Sequence, residues 1–176
     1  MQLIISTRDQ VLTRYGNQLA ALGEGQARAA LSRALNHEGD NGRTQVKRVL
    51  VKQTGIKYSA VNKAMATVRS TPATLTYTLK ARGDETNIAW FGGVQRRKGV
   101  SAAPWNKRRI FARSFIVPRF GRAFLRTSKS RLPIRPLYGP NLARELVKDS
   151  SAAAWQSGVA NIVARVGHEI GRMLPR

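Results

Sequence analysis

The stretch IFARSFIVPRFGRAFLRTSKSRLPIRPLYGPN, residues Ile110–Asn141, is the part of the chain around which we expect the fold to be organised. Two apolar runs, Ile110–Val117 and Phe120–Thr127, are separated by a Pro-Arg turn and predict a pair of strands. After a basic linker, Pro133–Leu137 is expected to be a short extended segment, because its two prolines cannot donate the hydrogen bonds of a central strand. The flanking segments have helical patterns, so we expect helices to pack on the sheet that this stretch builds.

Segments before this stretch also have strand patterns. Residues 2–7 (QLIIST) form a short apolar strand candidate, and Thr74–Lys80 alternates polar and apolar side chains, with β-branched and aromatic residues among them. Thr86–Phe91 is predicted as a further strand after a turn at Arg82-Gly83-Asp84. Val94–Arg109 then combines basic residues with glycine and proline, which predicts a long hairpin or a mobile loop.

The first helical segment is expected to end near Leu22, with Asp9 or Thr7 as its N-cap. Gly23 and Gly25 follow it, and glycine weakens or ends a helix. The beginning of the chain is therefore interpreted as an N-terminal arm with a first helix.

A second helix is predicted from Gln26, where apolar residues recur at spacings of three and four up to Gly55, which ends it. The segment His37–Gly42 (HEGDNG) interrupts this pattern, because each of its two glycines costs about 1 kcal/mol inside a helix. Two arrangements are open, a helix–turn–helix or one long, bent helix. Ser59 is then expected to cap a short helix with the sequence AVNKAM.

Two helices are predicted after the central stretch. Gly139-Pro140 opens the first, since proline is tolerated at the first position of a helix. The second, from about Ser151 to Leu174, has the cleanest apolar periodicity in the chain. Its core-facing side consists of Trp155, Val159, Ile162, Val163, Val166 and Ile170. We expect Trp155, Ile162, Val166 and Ile170 of this side to pack on the sheet.

The order of these patterns predicts an α+β fold, in which a small antiparallel sheet is packed by N-terminal and C-terminal helices and carries a long basic loop or hairpin. The 176 residues are enough for one ordinary domain. We therefore divide the chain into residues 1–25, the N-terminal arm and first helix, and residues 26–176, a single α+β domain.

The composition excludes several kinds of chemistry and location. The chain has no cysteine, which rules out disulfides, thiolate metal ligands and cysteine nucleophiles. No apolar run reaches the roughly 18 residues that a membrane-spanning helix needs, and the N-terminus lacks the basic and apolar regions of a signal peptide. We therefore expect synthesis in the cytoplasm and no membrane partner.

The charge of the chain is far from that of an ordinary globular protein, with a formal net charge of +22. No acidic residue occurs between Glu85 and Glu145, and that interval contains fourteen arginines and lysines. A candidate loop facing a partner or DNA contains Arg96, Arg97, Lys98, Lys107, Arg108 and Arg109. The predicted strands and their turn contain Arg113, Arg119, Arg122 and Arg126, and Lys129, Arg131, Arg135 and Arg144 complete the set. Like charges repel within a Debye length of about 8 Å, so this segment favours an anionic partner over a merely solvated face.

The composition leaves two kinds of partner open. Basic clusters beside Trp90, Phe91 and Trp105 suit nucleic acid, through phosphate contacts and base stacking. Arginine and aromatic residues are equally the types enriched at protein interfaces. Composition alone therefore does not distinguish a nucleic-acid partner from a protein partner.

No catalytic set is apparent in the sequence. The histidines are His37 and His168, and neither has the several converging ligands that a metal site needs. The closest acidic pairs are Glu38 with Asp40 and Asp84 with Glu85. Both pairs fall in predicted turns, where such residues are common for backbone reasons. We therefore expect no metal, no cofactor and no enzymatic activity.

Four features follow one another in a characteristic order along the chain. They are an alanine- and arginine-rich helix from Gln26 that closes with Val51–Gly55, the basic arm Gln95–Lys98, the paired segments Phe111–Phe115 and Phe124–Arg126, and the proline-rich element Leu132–Pro140. In this order, over most of the chain from Gln26 onward, the sequence resembles the minor tail protein Z family, the tail completion proteins of tailed phages and prophages. Residues 1–25 and the glycines of His37–Gly42 depart from the family pattern.

The resemblance implies a structural virion protein and not an enzyme. Proteins of this kind act late in tail assembly, at the head-proximal end of the tail, where they make the tail competent to join the capsid. The resemblance also implies a homo-oligomeric ring, a hexamer that matches the tail tube. Its neighbours would be the tail terminator, the tail tube and head-connector proteins, with packaged DNA in the channel. We expect residues 94–109 to contact a neighbouring subunit or ring.

Two other hypotheses stay open from the sequence. The first is a sequence-independent nucleic-acid-binding protein, whose affinity for nucleic acid would fall steeply with salt. The second is a small basic nuclease that depends on Asp84 or Glu85. Co-assembly with tail proteins, salt-dependent binding to free nucleic acid and metal-dependent cleavage distinguish the three hypotheses.

Overall fold

The computed structural model describes residues 1–6, 10–83 and 85–174. Its first part consists of β1 (Gln2–Ser6), α1 (Gln10–Leu22), α2 (Glu24–Thr54), α3 (Tyr58–Ala64), β2 (Met65–Val68) and β3 (Thr76–Ala81). A β-rich part follows, with a 3₁₀ turn (Ile88–Trp90), β4 (Val94–Arg96), β5 (Gly99–Ala102), a 3₁₀ turn (Pro104–Asn106), β6 (Arg109–Ala112), β7 (Ser114–Val117), a 3₁₀ turn (Pro118–Phe120), β8 (Arg122–Arg126) and β9 (Ile134–Pro136). The last helices are α4 (Leu142–Leu146), α5 (Asp149–Gly158) and α6 (Ile162–Gly171).

Over the described residues the strands form antiparallel sheets of three strands each, with the orders β1–β3–β2, β4–β5–β6 and β7–β8–β9. The α+β prediction is confirmed, although the strands are divided among three small sheets and not gathered in one. The segment Val94–Arg109 folds as the β4–β5 hairpin followed by a 3₁₀ turn and the start of β6. The first sheet belongs with the helices, and the other two sheets form the β-rich part.

Helix α2 is the central scaffold of the helical part, and it runs unbroken through the glycine-containing HEGDNG segment. The two glycines of this segment are closely packed. A Cβ on Gly39 would lie 2.5 Å from the ring of Tyr77, and a Cβ on Gly42 would lie 2.9 Å from the ring of Trp155. These contacts offset the low helix propensity of glycine. The chain therefore adopts one long helix, which ends as expected at Gly55, where φ is 75°.

Apolar clusters hold the elements together. One lies between α2, the first sheet, α4 and α5, and in it the rings of Tyr77 and Trp155 have their centroids 6.1 Å apart. A second lies between α1, α2 and α6 and includes Leu31, Val166 and Ile170. The buried residues at the centre of the β-rich part are Ile88, Val100, Ala102 and Ala123. That third cluster is small, so contacts with the helical part matter more for the stability of the β-rich part.

The predicted last helix is two helices, because the chain leaves helical geometry between α5 and α6. Trp155 of α5 packs against the first sheet, as expected. Val166 and Ile170 of α6 pack on α1 and α2 instead, so the prediction that they pack on the sheet is wrong. The reason is the length of α2, which extends past the strands and there meets α1 and α6. The other members of the predicted face, Val159, Ile162 and Val163, are partly buried beside these clusters.

The central stretch differs from its prediction at one residue. Arg113 has a left-handed backbone with a φ of 58°, and it divides the predicted strand Ile110–Val117 into β6 and β7, which belong to different sheets. Asparagine and glycine usually take this conformation, so the sequence gives no sign of the break. The second predicted strand, Phe120–Thr127, is confirmed as β8, and the extended segment after it contains β9.

The segment Thr86–Phe91 contains a 3₁₀ turn and not the predicted strand. The buried side chain of Asn87 explains the difference. Its Oδ1 atom accepts hydrogen bonds from the backbone N–H groups of Ala123 at 2.7 Å and Ala89 at 3.1 Å, and its Nδ2 atom donates to the carbonyl of Ala123 at 3.0 Å. An asparagine side chain thus takes the place of a backbone partner beside β8.

Helix boundaries also differ from the predictions. Ser59 lies inside α3 and does not cap it. Helix α4 is not opened by Pro140 but is capped by Asn141, whose Oδ1 atom accepts the N–H of Arg144 at 3.1 Å. The expected caps of the first helix and the last residue of the expected turn, which are Thr7, Asp9 and Asp84, lie outside the described residues.

Candidate interaction surface

The acidic side chains of the helical part are largely engaged within it. Glu169 of α6 is 2% exposed and accepts hydrogen bonds from Arg33 at 3.0 Å and from Arg165 at 2.7 Å. Burial alone would raise the pKa of Glu169, but the hydrogen bond from Arg33 and the charges of Arg165, Arg33 and Arg172 hold its pKa below the ordinary value. Glu169 therefore stays ionised at neutral pH and is balanced by arginines of the helical part.

Two further carboxylates join elements of the structure. Asp40 of α2 accepts the O–H of Tyr77 at 2.8 Å and pairs with Arg69. Burial, the hydrogen bond to Asp40 and the charge of Asp40 raise the pKa of Tyr77 to about 12. Buried Glu145 of α4 accepts hydrogen bonds from Lys148 and from the indole N–H of Trp105. These carboxylates are thus occupied by neighbours and do not neutralise the surface of the β-rich part.

The cations of the β-rich part have a different environment. All fourteen arginines and lysines between Glu85 and Glu145 are exposed, and all of them except Arg144 of α4 lie in the β-rich part. Among the described residues, the one of this set that forms an ion pair is Arg144, whose guanidinium lies 3.9 Å from the carboxylate of Glu85. The β-rich part therefore presents cations that the described acidic residues leave mostly unneutralised.

The six cations predicted to share one basic loop do not form one cluster. One group is Arg96, Arg97 and Lys98, and the other is Lys107, Arg108 and Arg109. In the β4–β5–β6 sheet, Arg96 pairs with Gly99 at one end, whereas Arg109 pairs with Ala102 at the other. The structure therefore separates the two groups by the length of the sheet.

The β7–β8–β9 sheet has one face toward the core of the β-rich part and one face away from it. Ile116 and Ala123 pack on the core side. Since side chains alternate along a strand and cross-strand partners share a face, the pairing of Phe115 with Phe124 places both rings on the opposite side. The same alternation adds Val117, Arg122, Arg126, Ile134 and Pro136 to that side. We call these seven residues the outer face.

Planar groups form a row on the outer face. The rings of Phe115 and Phe124 are stacked with their centroids 6.3 Å apart, and the guanidinium of Arg126 lies 5.0 Å from the centroid of Phe115. At the β7–β8 turn, the guanidinium of Arg119 lies 5.8 Å from the centroid of Phe120. A recess of about 360 Å³ beside the row is lined by Arg113, Ser114, Phe115, Arg126, Ser128 and Lys129.

Sequence reasoning selected the arginines of this region but missed the two phenylalanines that stack beside Arg126. Arg122, Phe124 and Arg126 alternate along β8, and a strand places residues two apart on one face. That spacing is the sequence signal by which the row could have been found. The pairing of Phe115 with Phe124 could not, because it depends on the strand break at Arg113.

The aromatic residues that the sequence grouped with the basic clusters have other roles. Phe91 is 8% exposed and belongs to the core. Trp105 donates its indole N–H to Glu145 at 3.3 Å and so holds the β-rich part on α4. Trp90 is 57% exposed and lines an apolar cleft of about 530 Å³ together with Ile56. Of the three, Trp90 presents its ring to solvent.

The histidines and close carboxylates do not converge on a reactive centre in the described structure. Glu38 and Asp40 lie in α2 and not in the predicted turn, and the Nδ1 atom of His37 lies 2.9 Å from Glu38. His168 is exposed on α6. No group of three or more histidines, aspartates or glutamates that could hold a metal ion occurs within residues 1–6, 10–83 and 85–174.

Comparison with known protein families, with curated proteins and with solved structures finds no match for this chain. In the part of the chain that the structure describes, no helix is both long and apolar enough to cross a membrane. A functional assignment therefore depends on the residues and surfaces of the chain itself.

Proposed function

We propose that this chain is a structural virion protein, a tail completion subunit at the head-proximal end of a phage or prophage tail. It assembles as a hexameric ring between the tail tube, with its terminator, and the head connector, and it makes the tail competent to join a capsid. The order of motifs from Gln26 to Pro140 supports this role. The observation that carries the proposal is the set of exposed cations on the β-rich part.

These cations require negative charge from outside the subunit. The interval between Glu85 and Glu145 contains fourteen cations and no acidic residue, and the acidic residues of the helical part are largely engaged there. Repulsion among such charges raises the free energy of an isolated compact subunit. Contact with acidic faces of neighbouring rings, or with DNA in the channel, lowers it. This distribution of charge fits a subunit whose exposed cations are neutralised when it joins an assembly.

A ring also needs two different surfaces on each subunit, because heterologous contacts close it. The β4–β5 turn presents the cations Arg96, Arg97 and Lys98. The cleft beside Trp90 presents an apolar surface, and exposed apolar patches often mark contacts between proteins. The chain therefore offers one charged and one apolar surface for contacts between subunits or between rings.

Replacement of Arg96, Arg97 and Lys98 by alanine tests this role in a phage or prophage whose genome encodes the chain. All three side chains are exposed, so the fold should be unchanged. The variant should give complete tails that fail to join heads, because a charged contact with a neighbouring ring is lost. Electron microscopy of lysates, with counts of joined particles, free heads and free tails, measures the effect.

A matched control removes the same charge from the helical part, at the exposed residues Arg48, Lys52 and Lys63. The control should give joined particles in normal numbers. Normal joining by the first variant as well would contradict the role of the β4–β5 turn. Equal failure of both variants would show that total charge, and not this surface, matters.

A further inference from the structure

The outer face of the β7–β8–β9 sheet is apolar at its centre and cationic at its rim. Phe115, Val117, Phe124, Ile134 and Pro136 are all partly exposed there. The cations at its rim are Arg113, Arg122, Arg126, Lys129 and Arg131, and all are exposed. None of these five cations is in an ion pair among the described residues. A partner for this face must therefore combine negative charge with flat, weakly hydrated groups.

The charge of the rim argues against a second copy of this chain as that partner. Each copy has a formal net charge of +22, so two cationic rims would repel each other at close approach. Acidic residues that could pair with the rim are scarce, since the chain has nine in total and several are already engaged. The occupant of the outer face is therefore an anionic molecule of another kind.

The geometry of the aromatic groups selects among anionic partners. Phe115 and Phe124 are stacked at 6.3 Å and the guanidinium of Arg126 continues the row 5.0 Å from Phe115. Phenylalanine rings and guanidinium planes are the groups on which unstacked nucleic acid bases pack. A duplex keeps its base faces inside the helix, so it offers phosphates but no base face to such a row. A single strand offers both base faces and phosphates.

We infer that the outer face binds single-stranded nucleic acid without sequence preference. Bases stack against Phe115 and Phe124 and the adjacent Arg126. Phosphates bind at the recess of about 360 Å³, whose lining includes the cations Arg113, Arg126 and Lys129 and the exposed hydroxyl-bearing Ser128. The inference does not depend on ring formation or on a place in the tail.

Fluorescence anisotropy with a labelled 20-nucleotide thymidine strand tests this assignment on the full chain. A labelled duplex of the same length reports phosphate binding alone, and unlabelled polyglutamate as competitor reports binding of an acidic polypeptide. Two variants of the row are compared, Phe115→Leu/Phe124→Leu and Phe115→Tyr/Phe124→Tyr. Leucine keeps apolar bulk but has no planar face, whereas tyrosine keeps the planar face. Thermal unfolding of each variant establishes that it is folded.

The leucine variant should bind the single strand at least about tenfold more weakly than the wild type, since base–aromatic stacking contributes on the order of 1–3 kcal/mol per base. The tyrosine variant should bind it as the wild type does. Binding of the duplex should be nearly the same for all three proteins. This pattern would establish stacking of bases on Phe115 and Phe124.

Salt dependence tests the phosphate contacts separately. Replacement of Arg113, Arg126 and Lys129 by glutamine should reduce the slope of log affinity against log salt by about 2, because each phosphate contact on a single strand contributes about 0.7. The matched control replaces Arg48, Lys52 and Lys63 of the helical part by glutamine and should leave the slope unchanged. An equal loss of slope in both variants would contradict a specific site.

Two outcomes would overturn the assignment. The first is a leucine variant that is folded and binds the single strand as tightly as the wild type. The second is polyglutamate competition that the leucine substitutions weaken as much as they weaken binding of the strand, which would identify an acidic polypeptide as the occupant. Failure of this inference leaves the proposed tail role in place, because that role is tested by head joining with variants of a different surface.

Discussion

At the scale of single residues, the buried carboxylate of Glu169 on α6 is paired with two arginines, and one of them connects α6 to α2. Arg33 approaches it from α2 and Arg165 from α6. Because Glu169 is 2% exposed, removal of its charge would leave these contacts weaker without exposing a new surface. The residue therefore links the stability of the helical part to pH.

The pKa of Glu169 is lowered in the folded state, so its contribution to stability is present above the ordinary glutamate pKa and is lost as pH falls through the folded value. Glu169→Gln should lower the free energy of unfolding at pH 7 by about 1–3 kcal/mol, since hydrogen bonds to a charged group are lost. The difference from wild type should shrink on acidification below about pH 4.5. Urea unfolding at pH 7 and pH 3 measures both effects.

Glu24→Gln is the control, because Glu24 is an exposed glutamate in the first turn of α2. It should change the free energy of unfolding by less than about 0.5 kcal/mol. A difference between Glu169→Gln and wild type that stays constant from pH 7 to pH 3 would contradict the role assigned to the ionised carboxylate.

Two residues show where the sequence could not predict the local structure. Arg113 adopts a left-handed backbone that arginine rarely takes, and the predicted strand is divided there. Asn87 replaces a strand partner with its side chain, through hydrogen bonds to the backbone of Ala123. Both depend on neighbours that are distant in sequence, so patterns of periodicity do not contain them.

At the scale of elements, helix α2 demonstrates how tertiary packing overrides local propensity. The glycines of the HEGDNG segment suggested an interruption, yet the ring of Tyr77 packs against Gly39 and the ring of Trp155 packs against Gly42. The amphipathic spacing on both sides of the segment was sufficient to predict the helix, and Gly55 to predict its end. The choice between one helix and two required knowledge of what packs against the glycines.

Substitution of Gly39 by alanine should therefore destabilise the protein, although alanine is the better helix former by about 1 kcal/mol. The added Cβ would lie 2.5 Å from the ring of Tyr77, and overpacking of a core typically costs about 1–3 kcal/mol. Gly25→Ala, in the first turn of the same helix, has nothing within 4 Å of the added atom. It should be neutral or slightly stabilising.

Thermal unfolding followed by circular dichroism measures both alanine variants under one set of conditions. Gly39→Ala should unfold at a lower temperature than wild type, and Gly25→Ala at the same temperature or a higher one. Stabilisation by both substitutions would mean that helix propensity alone decides at these positions, contrary to the close packing against Tyr77.

The sequence predicted which cations are exposed but not where the fold places them. Composition identified the cations between Glu85 and Glu145, and all of them are exposed. The separation of two groups at opposite ends of the β4–β5–β6 sheet, and the placement of Arg122 and Arg126 on the outer face, follow from strand register. Register in turn depends on the turns at Gly99 and Arg113, whose geometry the sequence pattern does not specify.

At the scale of the whole molecule, charge is segregated between two parts of one chain. The helical part contains most of the described ion pairs, whereas the β-rich part presents exposed cations. The chain carries 31 lysines and arginines against 9 acidic residues. Such an imbalance fits the proposed role, in which the β-rich part contacts anionic partners and the ion pairs of the helical part stabilise the fold.

The position of the chain in a virion tests the central proposal most directly. Cryo-electron microscopy of particles from a phage or prophage whose genome encodes the chain should show it as a six-fold ring at the head-proximal end of the tail. The β-rich part should contact an acidic surface of a neighbouring ring or the DNA in the channel. Absence of the chain from purified particles, or its presence only at another place in them, would contradict the proposal.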